Sequence, residues 1–241
     1  MKRRKELKQE AKATLKGNYG KAIALNILPI LFTIFIAGGS TYVVNQMEYN
    51  VTYTLNLGYG SLLFSTLISG LIATLIIVGI NYVLLNWFRS KDSSEVSFKQ
   101  SFTAVSSKYF KSTFMLYIIQ WIFIRLWLML LVIPAIIKSF SYSQTYYIYK
   151  DIKSIGMEEN FSYTDYITMS RDLMNGYKTD YFVLQLSFVG WHILAICTFG
   201  LLYFWLIPYQ QMTMMAFYDD LSGNRFRDPE YVQEWMTKLN K

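Results

Sequence analysis

The chain has 241 residues and is 53% hydrophobic, 18% aromatic and only 16% charged, with a net charge of +7. That charge density is far below the roughly 25% of a soluble domain. One cysteine, Cys197, and one histidine, His192, exclude an internal disulfide and a zinc centre built from Cys and His. The basic residues flank apolar runs, a placement that suits an anionic lipid surface and not nucleic acid.

In chain order, Lys2–Lys16 reads as a basic amphipathic helix, with Leu7, Ala11 and Leu15 on one face and Gly17 as its stop. The apolar run Ala22–Val44 is too long, and its basic leader too helical, for a signal peptide, so it reads as an uncleaved first span. Asn45–Gly60 has no Lys or Arg and one charge, Glu48. Ser61–Phe88 is a second span. Ser97–Ser107 reads as a short helix with Phe98, Phe102 and Val105 on one face and Ser97 and Gln100 at capping-box spacing. Thr113–Ile133 is a third span. Pro134 then interrupts, and the shorter Ala135–Tyr149 reads as a fourth, with a re-entrant or interfacial helix as the alternative. Ser162–Asn175 is another amphipathic helix, with Ser162 and Asp165 at its start, Tyr166, Ile167, Ser170, Leu173 and Met174 on one face, and Gly176 as its stop. Tyr181–Thr198 and Leu201–Tyr218 complete six spans around a tight turn at Gly200.

Lys and Arg gather in Met1–Lys21, Arg89–Lys111, Lys150–Lys178 and Arg225–Lys241, every second gap between apolar runs. Loops of that kind stay on the cytoplasmic side, so both termini are expected there. Tyr42, Tyr49, Tyr53 and Tyr59 would mark the outer interface, and Trp87, Phe88, Tyr109, Phe110, Tyr177 and Tyr181 the inner one. The expected fold is all-α: one polytopic membrane domain over 1–241, with a basic interfacial helix at 1–20 and a six-span bundle at 21–219. Cytoplasmic helices fall near 97–108 and 162–175, and a cytoplasmic tail at 220–241. The pattern of interfacial helix plus hairpin occurs three times, either as an internal repeat or as a shared way of anchoring a span.

Arg125, inside the third span, is the sharpest anomaly, since an unpaired charge there costs at least about 2.5 kcal/mol. It serves either as a hydrogen-bond hub or, with Lys138, as part of a cavity receptive to an anion; Lys138 alone reads equally as a snorkelling cation. All Asp and Glu lie in loops or at span ends, such as Asp180 and Asp219, which counts against proton- or sodium-coupled transport. Pro29 and Pro208 each free a carbonyl four residues back, and Gly38, Gly39 and Gly79 read as close-packing points. No phosphate loop or nucleophile motif is present in the sequence, and no cofactor or metal is called for.

Five strings, taken in order, carry a likeness: LKGNYGKAI at Leu15–Ile23, IPAIIKSFSYSQTYYIYKD at Ile133–Asp151, SRDLMNGYKTDYF at Ser170–Phe182, LQLSFVGWHIL at Leu184–Leu194 and WLIPYQQMTMMAFY at Trp205–Tyr218. Together they resemble the bacterial integral-membrane family filed as domain of unknown function 975. The resemblance implies a six-span-type protein of Gram-positive plasma membranes and no particular activity. It singles out Lys138, Ser141, Tyr142, Ser143, Arg171, Gly176 and Trp191; Arg125 lies outside the matched strings.

The expectation is a non-enzymatic protein that binds anionic inner-leaflet lipid or another amphiphile, in an envelope-maintenance or regulatory role. Arg125, Lys138, Ser141, Gln144 and Arg171 are the ligand-binding candidates. Membrane lipid is the expected partner, with a homo-oligomer or a further membrane protein compatible with the sequence. A transporter or permease-like component is the alternative.

Overall fold

The computed structural model describes residues 1–34, 59–94 and 96–239, with backbone alone for 59–65 and 239. Among them every regular element is helical: α1 (Arg4–Leu15), α2 (Tyr19–Leu25), α3 (Tyr59–Ser90), α4 (Phe110–Leu130), α5 (Val132–Tyr142), α6 (Thr145–Ser154), α7 (Tyr163–Leu173), α8 (Lys178–Cys197), α9 (Tyr203–Ser222) and α10 (Pro229–Leu239), with short 3-10 turns between them. The outer half of the first expected span, Gly38, Gly39, Tyr42 and the Lys/Arg-free loop lie outside the described residues.

α1 forms as its sequence dictates. The Glu6 carboxylate accepts the backbone N–H of Arg3 at 2.8 Å, Leu7, Ala11 and Leu15 are buried, and Gly17 at φ +79 ends the helix. The buried stripe docks α1 on α9. α2 stops at Asn26, and the chain turns helical again over 27–34. Pro29 has no N–H to offer the Leu25 carbonyl. Ser101 supplies the donor instead, its hydroxyl 2.7 Å from that oxygen in a buried position.

The stretch Phe98–Val105 departs from expectation. It is a 3-10 helix, and Phe98, Phe102 and Val105 are exposed while Ser101 and Ala104 are buried. Contact with α3 explains the reversal. At Gly79 the backbones approach so closely that an added Cβ would lie 2.4 Å from the Ser101 carbonyl oxygen. Only the small residues of the turn fit against that surface.

Among the described residues three helices are long and apolar enough to cross a membrane: Thr66–Ser90, Phe110–Leu130 and Lys178–Cys197. The latter two bury only 17% of their apolar window, so most of that surface is bare. In water such patches would drive association, and membrane association is the coarse reading that follows. The bare apolar side chains peak at the turns joining α4 to α5 and α8 to α9, where Met129 is 85% and Phe199 92% exposed. At the opposite end the core is closed. α3 is 32 residues long, about 48 Å at the usual rise and well beyond roughly 30 Å of hydrocarbon. Its last turns, Ile80 to Phe88, are buried almost without interruption beside Met212 to Leu221 of α9. Trp87 and Phe88, expected at an interface, therefore sit in this core.

The segment Ala135–Tyr149 is two helices, α5 and α6, broken at Ser143–Gln144. The cause is local. Ser139, Ser141, Ser143 and Thr145 each donate their hydroxyl back to a carbonyl three or four residues earlier, which competes with the helix ladder and bends it. α7 packs across the break, held at its start by the Asp165 carboxylate accepting the Ser162 N–H at 2.7 Å. Tyr166, Ile167, Ser170 and Leu173 face inward, as their spacing requires, and Gly176 at φ +84 ends the turn. α8 and α9 are joined by a polar chain, His192 to Gln210 at 2.9 Å, Gln210 to Gln185 at 3.0 Å and Gln185 to the Tyr181 hydroxyl at 3.1 Å. His192 is thus a structural contact between helices.

Candidate functional site

Because α1 turns Leu7, Ala11 and Leu15 inward, its other faces are free to carry charge. Between α1 and the α8–α9 pair runs an open groove of about 750 Å³. Lys2, Arg3, Arg4, Lys5, Lys8 and Lys12 form one wall; Leu184, Tyr209 and Phe217 line the other, with Asp180 also present. Glu10 and Glu6 are taken by Lys2 at 2.6 Å and Arg3 at 2.9 Å. Arg4, Lys5, Lys8 and Lys12 therefore have no ion-pair partner within 4 Å among the described residues. The Lys8 ammonium lies 4.1 Å from the Phe188 ring centroid and 3.4 Å from the Ser187 carbonyl oxygen. Burial, then the nearby charge of Arg4, lowers its pKa. Such a wall can hold an acidic headgroup while the facing side chains take an apolar tail.

The five residues singled out by sequence divide into two places. Arg125 is half-buried on the seam between α3 and α4. It donates to the Thr66 hydroxyl at 3.2 Å and lies 5.1 Å from the Trp121 ring. The other four converge where α7 covers the α5–α6 break. The Ser141 carbonyl accepts the Ser170 hydroxyl at 2.8 Å, and the Gln144 N–H donates to the Ser170 oxygen at 3.2 Å. Arg171 follows Ser170 and is exposed. Lys138 stands 4.6 Å from the Trp127 ring, within reach of the like charges of Arg171 and Lys178. None of the five lines the α1 groove.

A third cluster has its centre at the closed end of the core. The Arg89 guanidinium, in the last turn of α3, donates from Nη1 and Nη2 to both Asp151 oxygens at 2.6 and 2.9 Å, and from Nε to Asp219 at 2.6 Å. Asp151 is 1% exposed and also accepts the Tyr218 hydroxyl at 2.7 Å. Beside it Lys150, 7% exposed, donates to the Asn86 amide oxygen. Burial is the first cause that brings the Lys150 amine down from 10.5 to about 8; Asp151 opposes this, while Arg89, Arg227 and Lys108 reinforce it. Sequence reading saw these groups as span-end charges. The only signal for them was acid and base recurring at the same end of three helices, since Arg89 is 62 residues from Asp151 and 130 from Asp219.

Comparison with curated proteins and with solved structures finds no match. A family model does match, over residues 1–138 and 120–225, and its description is "Protein of unknown function (DUF975)". The two segments contain all five strings noted in the sequence as well as the α1 groove, the α5–α7 junction and the Arg89 cluster. The match extends over most of the chain, and the protein therefore belongs to the DUF975 family.

Proposed function

We propose that this is a non-enzymatic protein of the bacterial plasma membrane that binds anionic lipid or amphiphile at the inner leaflet, in an envelope-maintenance or regulatory role. In this reading the chain crosses six times, Ala135–Tyr149 (most of α5 and the start of α6) forming the fourth crossing, and both termini are cytoplasmic. The α1 groove carries the proposal: four cations without ion-pair partners among the described residues face an apolar wall. A basic patch of that size attracts acidic lipid by about 1 kcal/mol per cation near the surface. The cluster of Lys138, Arg171 and Lys178 offers a second place for an acidic group.

Native mass spectrometry from nanodiscs containing phosphatidylglycerol tests the groove. Replacing Arg4, Lys5 and Lys12 together by Gln is expected to cut retained phosphatidylglycerol several-fold with little change in Tm, because none of these three exposed side chains makes an ion pair or hydrogen bond among the described residues. Lys138→Leu and Arg171→Gln read the second cluster in the same assay. Unchanged retention in all variants would sink the proposal.

A transporter is the second reading, favoured by one observation. The α5–α6 break leaves the Gln144 side-chain oxygen buried and without a hydrogen-bond partner among the described residues, and broken helices often line transport sites. Substrate-dependent flux in liposomes that Gln144→Leu abolishes would support it.

A further inference from the structure

A pocket of about 360 Å³ opens beside the C-terminal end of α3, between that helix, the side chains of Asp92, Ser94, Val96, Gln100 and Thr103, Tyr109 and α6. Lys150 is part of its lining, although only 7% of that residue is exposed. An ammonium has three hydrogens to donate. Among the described residues it has one hydrogen-bond acceptor, Asn86 Oδ1, plus the Tyr82 ring at 5.9 Å, and no carboxylate within 4 Å. Its neighbour Asp151 is already filled by Arg89 and Tyr218. The acid on the pocket wall, Asp92, accepts the backbone N–H and the hydroxyl of Ser94, both at 2.8 Å. Gln100 also lines the pocket, and its side-chain amide makes no hydrogen bond among the described residues.

A buried cation with no counter-ion among the described residues is costly and marks a functional candidate. The pocket lies near the lower end of the usual size range for small ligands, and Tyr82, Trp87 and Tyr109 give it the aromatic lining such sites favour. We infer that this pocket binds a phosphate-type anion, with the Lys150 ammonium as counter-charge, Asn86 orienting it and the Gln100 amide as an added donor. The site is separate from the α1 groove and does not rest on the function proposed for it.

The phosphate belongs either to a free solute or to a lipid headgroup, and one experiment separates them. The full chain in a phosphate-free maltoside detergent is pulsed with acetic anhydride, and acetylation of each lysine is followed by mass spectrometry. Inorganic phosphate is expected to slow acetylation of Lys150 at least several-fold and leave exposed Lys238 unchanged. The protection should weaken several-fold in Gln100→Ala, which removes no side-chain hydrogen bond found among the described residues. Calorimetric binding of phosphate should vanish in Lys150→Gln. If soluble phosphate gives no protection but phosphatidylglycerol nanodiscs do, relative to phosphate-free detergent, the occupant is the headgroup and the site stands. If neither protects Lys150, or protection is the same in Gln100→Ala, the inference is overturned.

Discussion

Part-buried Arg89 and buried Lys150 are neighbouring cations with opposite expected effects on stability. Arg89 has two carboxylates, one of them held in a two-pronged grip, and it ties α3 to α6 and α9. Removing one member of a buried pair strands the other charge, so Arg89→Met should destabilise the fold by about 3–5 kcal/mol, read as a fall in Tm in detergent. Lys150 has no such partner among the described residues, and Lys150→Met should leave stability at neutral pH unchanged or raise it. The sign follows from linkage. The Lys150 amine titrates at about 8 when folded and 10.5 otherwise. Between those values the unfolded chain holds a proton that the folded chain lacks, so stability rises with pH by up to about 3 kcal/mol. The groups acting on it are Asp151, Arg89, Arg227 and Lys108, with Tyr82, Tyr109 and Asp92 on the pocket walls. The difference between wild type and Lys150→Met across that window isolates the contribution. At this scale the sequence showed which residues carry charge and that Arg125 interrupts an apolar run. It did not show which charges meet, because partners 62 and 130 residues apart are set by helix docking.

Where a periodic stripe was the only constraint on an element, the stripe decided its inner face: α1 and α7 bury the residues their spacing selects. The 3-10 turn at Phe98–Val105 did not follow that rule. Its apolar face is exposed, because the close approach at Gly79 admits only Ser101 and Ala104. Gly79→Ala should force these elements apart at a cost of about 1–3 kcal/mol, visible as a lower Tm and faster proteolysis within 98–105. Ser101→Ala should cost about 1–3 kcal/mol, since it leaves the buried Leu25 carbonyl without its donor. The α5–α6 break was half legible. Alternating hydroxyls were in plain view from Ser139 to Thr145, but hydropathy averages over them and reads one continuous run.

For the whole molecule, the exposed apolar end and the closed polar-rimmed end define an axis, and the proposed topology gives it a direction. In a Cys197→Ser background, single cysteines at Tyr53 and at Lys238 should react with an impermeant maleimide from opposite sides of the membrane. Reaction of both from the same side would break the six-span reading. The sequence by itself determined the element type and pointed to membrane association, because long apolar runs in a helical register suit hydrocarbon. It determined family membership too, through strings spread along the chain. Only the tertiary structure decided which turns of α3 are buried in the core, which charges meet and where a groove or pocket opens. Those outcomes depend on docking angles and distances between helices remote in sequence, which no local periodicity encodes.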